Sequence, residues 1–321
     1  HISRADRMTR NILVLGATGY VGSKLVSRLA ANGYEVRSLV RNRHTATEAH
    51  RLPGEVIEGD VSRPETLDPA FTGIDVVFYL VHSMAAGEKG FEERDRAAAS
   101  NVVRAAERSG VQRIIYLGGL GRRDEAQSPH LRSRHEVGDV LRSGAVPVTE
   151  FRAAVILGSG SSSFEMMHHL VNRLSLMICP RWVVVKTQPI AIDDVLRYLA
   201  GAIGKPETAG RIIDIGGPEI LSYREMMLNL AAILGLRRAL IQVPVLTPRL
   251  SSYWVNLVTP IPVPLSRSLI DSLRHETVCE NDDALKLFDI RPVSFETAVR
   301  RALADLLPPA AETADEGDRL Q

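Results

Sequence analysis

Cysteine is scarce in this chain. The two cysteines present, Cys179 and Cys279, lie far apart and without the spacing of a metal-binding motif. No cysteine framework therefore predicts a zinc site or a disulfide-stapled fold, and both thiols are expected to be core or incidental residues. Cysteine usage of this kind is typical of a reducing compartment, so we expect a cytoplasmic protein.

Long apolar runs are also missing. No stretch reaches the ~20 residues that a helix needs to span a bilayer, and the longest candidates, such as "LNLAAILGL", have the length of an ordinary helix. The opening "HISRADRMTR" is basic but lacks the apolar core of a signal peptide. We therefore expect no transmembrane segment.

An excess of charge of either sign is the third absence. The formal net charge is +1, so the whole-molecule field gives no case for nucleic acid or an acidic membrane as a partner. Hydrophobic residues make up 45% of the chain and charged residues 24%, values typical of a globular protein. A chain of 321 residues is long enough for one large domain and a smaller lobe.

Short apolar runs alternate with longer helical stretches in the first half of the chain. The predicted strands are "NILVLG", "EVRSLVR", "EVIEGD", "DVVFYLV", "RIIYLGG" and "VPVTEFRAAVI". Between them lie helices such as "GSKLVSRLAANG", closed by Gly33. Continuous apolar strands alternating with helices predict an α/β fold, a doubly wound parallel sheet covered on both faces.

The rhythm loosens after about Ala153. "QPIAIDDVLRYLAGAI" predicts a short strand and then a helix capped by Asp193 or Asp194, and "RIIDIGG" predicts one more strand. In "LSYREMMLNLAAILGL", Ser222 and Glu225 have the spacing of a capping box. The proline-rich stretch that follows predicts a smaller C-terminal cap lobe over the carboxyl edge of the sheet.

A glycine-rich loop lies directly between the first strand and the first helix, in "GATGYVG". Gly16 permits a tight turn, Gly19 lets a pyrophosphate approach the backbone, and Gly22 lets the helix pack closely on the strand. Placed after the first strand of an α/β pattern, the loop predicts a dinucleotide site that also uses Thr18, Tyr20 and Val21.

The end of the second strand indicates which dinucleotide. An NAD site places an acid there for the ribose hydroxyl, whereas this strand ends "SLVRNR", with Arg41 at about that position. A guanidinium can hold a phosphate through two parallel hydrogen bonds. We therefore expect NADP(H) rather than NAD(H), the alternative being a solvated basic strand end.

Asp60 and Val61 follow the third strand. The Asp60 carboxylate could accept a hydrogen bond from the adenine amino group, with the Val61 N–H beside it. Alternatively, Asp60 or Ser62 caps the next helix. The sequence leaves the two interpretations open.

Together, "GATGYVG", "EGDV", "YLVHSM", "RIIYLGGLG", "PIAIDDV" and "IGGPEILSYREM" resemble an atypical short-chain dehydrogenase/reductase, closest to the NmrA-like, NAD(P)H-binding branch and related to the sugar-nucleotide epimerases. The resemblance implies an NADP(H)-binding Rossmann domain (11–155), followed by the rest of the sheet with a substrate or cap lobe (156–307). The composition of the two ends adds a flexible start (1–10) and a disordered tail (308–321).

Active members of that superfamily carry Tyr-x-x-x-Lys on the helix after the fifth strand and a serine at the end of that strand. This chain has His130 and Arg134 at the tyrosine and lysine positions, and Gly119 at the strand end. Arg134 keeps a cation that could bind the nicotinamide ribose, and His130 could act as an acid near neutral pH. His130 could equally be a polar residue at a helix start.

Other candidates surround the same edge of the sheet. Val81 and His82 follow the fourth strand and should border the nicotinamide, with His82 a second proton-donor candidate or a loop histidine bonded to backbone. His168 is expected to face the cleft, but it and His169 lack a third ligand at metal spacing, so no metal site is predicted. Tyr253 and Trp254 would form an apolar lid over the substrate or be buried in the lobe.

Three functions fit this set of residues. The first is an NADPH-dependent oxidoreductase acting on a small apolar carbonyl or quinone-like substrate. The second is a non-catalytic NADP(H) sensor or accessory subunit with a protein partner, and the third is a sugar-nucleotide epimerase or dehydratase, against which the missing tyrosine and lysine count.

Overall fold

A seven-stranded parallel sheet crosses the computed structural model, which describes residues 10–44, 51–82, 90–123, 128–243 and 274–306. In chain order, its strands and those of three two-stranded ladders are β1 (Asn11–Leu15), β2 (Glu35–Val40), β3 (Glu55–Glu58), β4 (Val76–Tyr79), β5 (Arg113–Gly119), β6 (Val148–Ala153), β7 (Ile156–Leu157), β8 (Leu176–Pro180), β9 (Lys186–Thr187), β10 (Ile190–Ala191), β11 (Ile212–Ile215), β12 (Leu221–Ser222) and β13 (Ala239–Val243).

The helices of the described residues pack on both sides of this sheet and beyond its edge. They are α1 (Tyr20–Ala31), α2 (Asp68–Phe71), α3 (Phe91–Arg108), α4 (Pro129–Arg142), α5 (Ser162–Arg173), α6 (Ile192–Gly201), α7 (Tyr223–Ile233), α8 (Asp283–Leu287) and α9 (Phe295–Ala304).

The strand order of the large sheet is β11-β6-β5-β4-β1-β2-β3. Ile12 of β1 pairs with Val36 of β2 on one side and with Val76 of β4 on the other. On one side of β1 lie β2 and β3, and on the other side lie β4, β5, β6 and β11. Because the strand order reverses between β1 and β4, a crevice lies beyond the carboxyl ends of these two strands. The predicted doubly wound fold is confirmed.

Strands that are apolar on both faces explain why the sheet is covered twice. Ile12 and Val14 point into a cluster with α1, α6 and α8, whereas Leu13 and Leu15 point into a cluster with α2, α3 and α4. All four side chains are fully buried, so removal of apolar surface from water stabilises both layers.

A further apolar cluster forms the smaller C-terminal lobe. It joins α5, α7 and α9 with the inner face of β8, around buried side chains such as Phe164, Met226 and Val299. The fold class predicted from the sequence is therefore confirmed. Most of the proline-rich stretch expected to form the cap, together with the predicted flexible start and the predicted tail, lies outside the described residues.

Two of the three predicted helix boundaries agree with the structure. Ser222 and Glu225 form the capping box of α7, and Gly33 follows α1 in the left-handed region (φ 82°). The prediction that Asp193 or Asp194 caps α6 is wrong, because the helix starts directly from β10 with Ala191 as its N-cap. The buried Asp194 carboxylate instead accepts hydrogen bonds from the Val293 N–H and from Arg197.

Candidate nucleotide-binding and active site

The glycine loop turns tightly against the end of β4. Gly16 has a φ of 84°, and a Cβ there would lie 2.7 Å from the Leu80 carbonyl oxygen. A Cβ on Gly22 would collide with the carbonyl oxygen of Gly16. These two glycines are therefore required by the packing of the loop on itself and on its neighbouring strand.

Gly19 has a different environment. A Cβ there would meet only the Gly16 carbonyl oxygen, at 3.2 Å, and the residue is exposed. Gly19 is the N-cap of α1, which has no side-chain cap and no acidic residue in its first turn. The free N–H groups and the positive end of the helix dipole suit a diphosphate, and the cradle in front of Gly19 is one that a side chain would fill.

A cavity of about 250 Å³ extends from this loop along the carboxyl ends of β4, β5 and β6. It brings together seven of the residues predicted to form the site: Gly19, Tyr20, Val21, Gly22, His82, His130 and Arg134. Most of its other lining residues are apolar, among them Leu80, Leu117 and Ile156. Among the described residues that line it, Arg134 is the one whose side chain is always charged.

Arg134 is held by the sheet from two sides. Its Nη2 donates to the carbonyl oxygen of Leu117 at 2.7 Å, and its own carbonyl oxygen accepts from the Tyr116 hydroxyl at 2.8 Å. Its Nε is buried without a partner. A Cβ on Gly119 would lie 3.2 Å from Arg134 Cδ and still closer to Leu131, so the missing serine at the strand end makes room for this arginine.

The two candidate histidines lie side by side, with ring centroids 6.2 Å apart. Burial, then the positive charge of Arg134, lowers the pKa of His130 to about 3. Burial, Arg134 and then His130 likewise lower the pKa of His82, although its ring keeps surface open towards the cavity, where water would moderate the shift. The lowered pKa values do not favour the acid role near neutral pH that was one of the alternatives for His130, because both rings are neutral at neutral pH.

The residues predicted to hold the adenosine half lie beyond the cavity, at the ends of β2 and β3. Arg41 is exposed and makes no hydrogen bond or ion pair in the part of the chain that the structure describes. The Asp60 carboxylate accepts from the backbone and the hydroxyl of Ser62, both within a local turn. The next helical turn, Pro64–Thr66, begins after Arg63, so neither Asp60 nor Ser62 is a helix cap.

The remaining residues of the predicted nucleotide site lie near the glycine loop and the strand ends. Thr18 is exposed at the tip of the loop. Val61 is buried, and its carbonyl oxygen accepts from Asn101 at 2.9 Å. Val81 is half-buried against the core.

Comparison with known proteins decides what this site binds. A family model described as NAD(P)H-binding matches residues 16–153, which run from the glycine loop to the end of β6. Residues 16–153 form an NAD(P)H-binding domain. The cofactor class expected from the glycine loop is confirmed.

Curated relatives of this NAD(P)H-binding chain include both an assembly factor and a reductase. Photosystem II assembly factor Ycf39 of Cyanophora paradoxa is 26% identical over 64% of the chain, and the match spans 63% of that protein, a little under two thirds of its length. Ceramide reductase of Caulobacter vibrioides is 24% identical over 73% of each chain.

Among solved structures, Citrobacter sp. triphenylmethane reductase complexed with NADP(H) has the same fold. It is 20% identical and matches with a TM-score of 0.72, covering 91% of this chain and 99% of that one. The expected NAD(P)H-binding domain and the expected fold are therefore confirmed, whereas membership of the short-chain dehydrogenase/reductase, epimerase or NmrA-like groups stays a prediction.

Of the three predicted substrate-side residues, the structure describes only His168, and it does not line the cavity. His168 lies on α5 with its ring stacked on Phe164 at 5.9 Å, away from the cavity lining. Tyr253 and Trp254 lie outside the described residues. The described residues contain no group of three or more potential metal ligands, and no described helix is long and apolar enough to cross a membrane.

Sequence reasoning missed the far wall of the NAD(P)H-binding cavity. Ser161, Ser162 and Ser163 line it at the start of α5, together with Tyr223 and Thr277. The run "GSGSSSF" contained a signal, since a glycine- and serine-rich turn before a helix often forms a ligand-facing helix start. Thr277 had no such signal, because only the bridge from Thr187 brings it to the site.

Proposed function

We propose that this chain is an NADP(H)-dependent oxidoreductase that acts on a small, apolar, quinone-like or conjugated carbonyl substrate. The observation that carries the proposal is the cavity that joins the glycine loop to the carboxyl ends of β4, β5 and β6. It is mainly apolar, and Arg134 is the fixed cation in its lining. Such a cavity suits a small substrate with an apolar body and one oxygen that becomes negative.

The residues that would hold the cofactor form a continuous edge. The loop around Gly19 and the first turn of α1 would bind the diphosphate, and Arg41 the 2′-phosphate of NADP(H). Asp60 is available to the adenine end, because its carboxylate is used only within a local turn. When bound, NADPH supplies a hydride at the nicotinamide end of the crevice.

Arg134 and the two histidines define what the chain itself can do for the reaction. Arg134 cannot give up its proton, but its charge stabilises an oxygen that gains negative charge. His82 and His130 are neutral, so each offers an N–H for hydrogen bonding rather than an acidic proton. The proton then comes from water, a route that favours substrates whose reduced form is a delocalised anion.

The relatives give this proposal a context. Ceramide reductase and triphenylmethane reductase carry names that state reductions. A reductive role is therefore consistent with the relatives, and an apolar substrate is consistent with the cavity. The cytoplasmic location and the division of the chain into four segments stay predictions.

A non-catalytic NADP(H) sensor or accessory subunit is the second candidate. The observation that favours it is the replacement of the whole catalytic set by His130, Arg134 and Gly119. The relative Ycf39 is named as an assembly factor, which fits a binding role. An epimerase or dehydratase is the third candidate, and the same replacements weigh against it.

NADPH oxidation with matched substrates tests the proposal. We expect turnover of quinones and conjugated carbonyls and weak turnover of simple aliphatic ketones. Arg134→Gln should lower kcat by about 10²- to 10³-fold, the range for removing one group that stabilises an oxyanion. Arg132→Gln is the matched control, because Arg132 lies on the same helix and pairs with Glu92 on the surface.

The outcomes separate the two leading candidates. Tight NADPH binding without turnover of any substrate would favour the sensor. Turnover that is unchanged in Arg134→Gln would contradict the role given to the arginine, whereas efficient reduction of simple ketones would contradict the substrate class.

A further inference from the structure

The small ladder formed by β8 and β13 has an unusual outer face. The two strands are parallel, with Leu176 opposite Ala239 and Ile178 opposite Ile241. Met177 and Cys179 point inwards and are buried in the C-terminal cluster. Alternation therefore places the even-numbered positions of β8 on the outside, where an exposed strand normally carries polar residues.

The outer positions are apolar instead. Leu176, Ile178 and Ile241 are 50%, 47% and 50% exposed, and their pairing makes them neighbours on one surface. We call these three residues the outer patch. Single exposed apolar residues are common on proteins, but a contiguous group on a sheet face marks an interaction surface.

In the chain segments that contain β8 and β13, every charged residue is an arginine. The segments 173–185 and 235–243 contain four arginines and no aspartate or glutamate. The side chain of Arg237 is exposed and makes no hydrogen bond or ion pair with the residues that the structure describes. Arg238 donates to the carbonyl oxygens of Val171 and Asn172 at the end of α5, and no carboxylate among the described residues pairs with it.

This combination selects one class of partner. Apolar side chains can enter the headgroup region of a bilayer while arginines beside them bind anionic headgroups. A second copy of the chain fits less well, because a two-fold contact would set these arginines against their own counterparts. The net charge of +1 conceals this local cluster, because acidic residues elsewhere balance it.

The geometry points to the β8/β13 face as a docking surface for an anionic lipid bilayer, with the outer patch inserted at the interface and Arg237 and Arg238 on the headgroups. The contact is peripheral and reversible, since three side chains bury little apolar surface. Docking at this face goes beyond the proposed function and does not depend on it.

Flotation of the full chain with lipid vesicles tests the inference. We expect binding to vesicles of phosphatidylcholine and phosphatidylserine, weak binding to phosphatidylcholine alone, and release as salt is raised. Ile178→Ser combined with Ile241→Ser should abolish binding. Arg237→Gln should weaken it about fivefold, the factor for one cation near an anionic surface.

Matched control variants distinguish binding through this surface from non-specific binding to vesicles. Leu285→Ser changes a more exposed leucine on α8, and Arg211→Gln removes an exposed arginine before β11; both should bind vesicles like the parent. Thermal unfolding and NADPH titration check that each variant is folded. Equal binding to neutral and anionic vesicles, or binding that survives the double substitution, would overturn the inference.

Two further results would also overturn it. One is the absence of vesicle binding by the folded parent chain. The other is a concentration-dependent dimer, measured by light scattering without lipid, that the double substitution abolishes, because the patch would then be a contact between two copies.

Discussion

At the scale of single residues, the three glycines of the phosphate loop have different neighbours, so similar substitutions have different results at each. A Cβ on Gly16 or Gly22 would collide with backbone atoms, whereas a Cβ on Gly19 would lie 3.2 Å from the Gly16 carbonyl oxygen and otherwise have space around it. The loop therefore requires Gly16 and Gly22 for its folding, and Gly19 for binding the diphosphate.

Gly19→Val should abolish binding of NADPH and NADH while leaving the protein folded. The backbone of Gly19 (φ −76°, ψ 167°) suits any residue, but the new side chain would occupy the diphosphate cradle. Gly22→Ala is the contrasting variant and should lower the thermal unfolding temperature, because its Cβ collides with the Gly16 carbonyl. Retained cofactor binding in folded Gly19→Val would place the nucleotide elsewhere.

Arg41→Ala should weaken NADPH binding by about 1–3 kcal/mol and leave NADH binding unchanged. The reason is that the exposed guanidinium has no partner in the described structure and can bind the 2′-phosphate that NADH lacks. Calorimetric titration of both cofactors measures the effect. Arg63→Ala, which removes a surface arginine paired with Glu65, is the control. Equal affinity of the parent protein for the two cofactors would contradict the preference for NADP(H).

The rate of NADPH oxidation should show no histidine ionisation at neutral pH. His130 has a pKa of about 3, so its protonation changes only in acid, well below the ordinary value of 6.5. A pH profile of kcat measures this, and His130→Phe should leave its shape unchanged between pH 6 and 8, as expected for a ring that stays neutral there. A kcat that falls through pH 6.5 in the parent but not in His130→Phe would restore the acid role.

At the scale of helices and strands, the sequence predicts correctly those features that depend on residues close together in the chain. The run "NILVLG", the glycine after α1 and the Ser222–Glu225 box all act within a few residues, and each was predicted correctly. Asp194 could not be placed, because its partner Val293 lies far along the chain. The same limit applies to Thr277 and to the lowered pKa of His130, which depend on tertiary packing.

Ser222→Ala should cost about 1 kcal/mol of folding stability, because it removes the side chain that accepts from the Glu225 N–H. Urea unfolding measures the loss. Ser100→Ala is the control, since its hydroxyl donates to the Arg96 carbonyl within the exposed face of α3 and caps no helix. An unchanged midpoint in Ser222→Ala would show that the box contributes nothing to the lobe.

At the scale of the whole molecule, the histidines make stability depend on pH. His135 is 3% exposed, faces the Gly119 carbonyl at 3.2 Å and has its pKa lowered to about 4 by burial. An unfolded chain binds protons at these histidines below about pH 6.5, whereas the native chain does not. Stability is therefore complete above pH 6.5 and falls as the pH drops towards 4.

Unfolding temperatures measured from pH 7 to pH 4 should show this decline. His130→Phe should reduce the slope of stability against pH by about one proton, because the lost ring no longer binds a proton in the unfolded chain. A parent protein equally stable at both ends of this range would contradict the lowered pKa values.

The position of β1 between β2 and β4 also governs when the nucleotide site can exist during synthesis. Gly16 packs against the Leu80 carbonyl, so the glycine loop lacks its packing partner until residue 80 has been synthesised. At about 5–20 residues per second, the ribosome needs roughly 3–12 s to go from Gly22 to Leu80. Throughout that interval NADPH cannot stabilise the nascent chain. Chaperones and proteases can therefore act on a nascent chain with a defect in its N-terminal region before NADPH can bind and stabilise it.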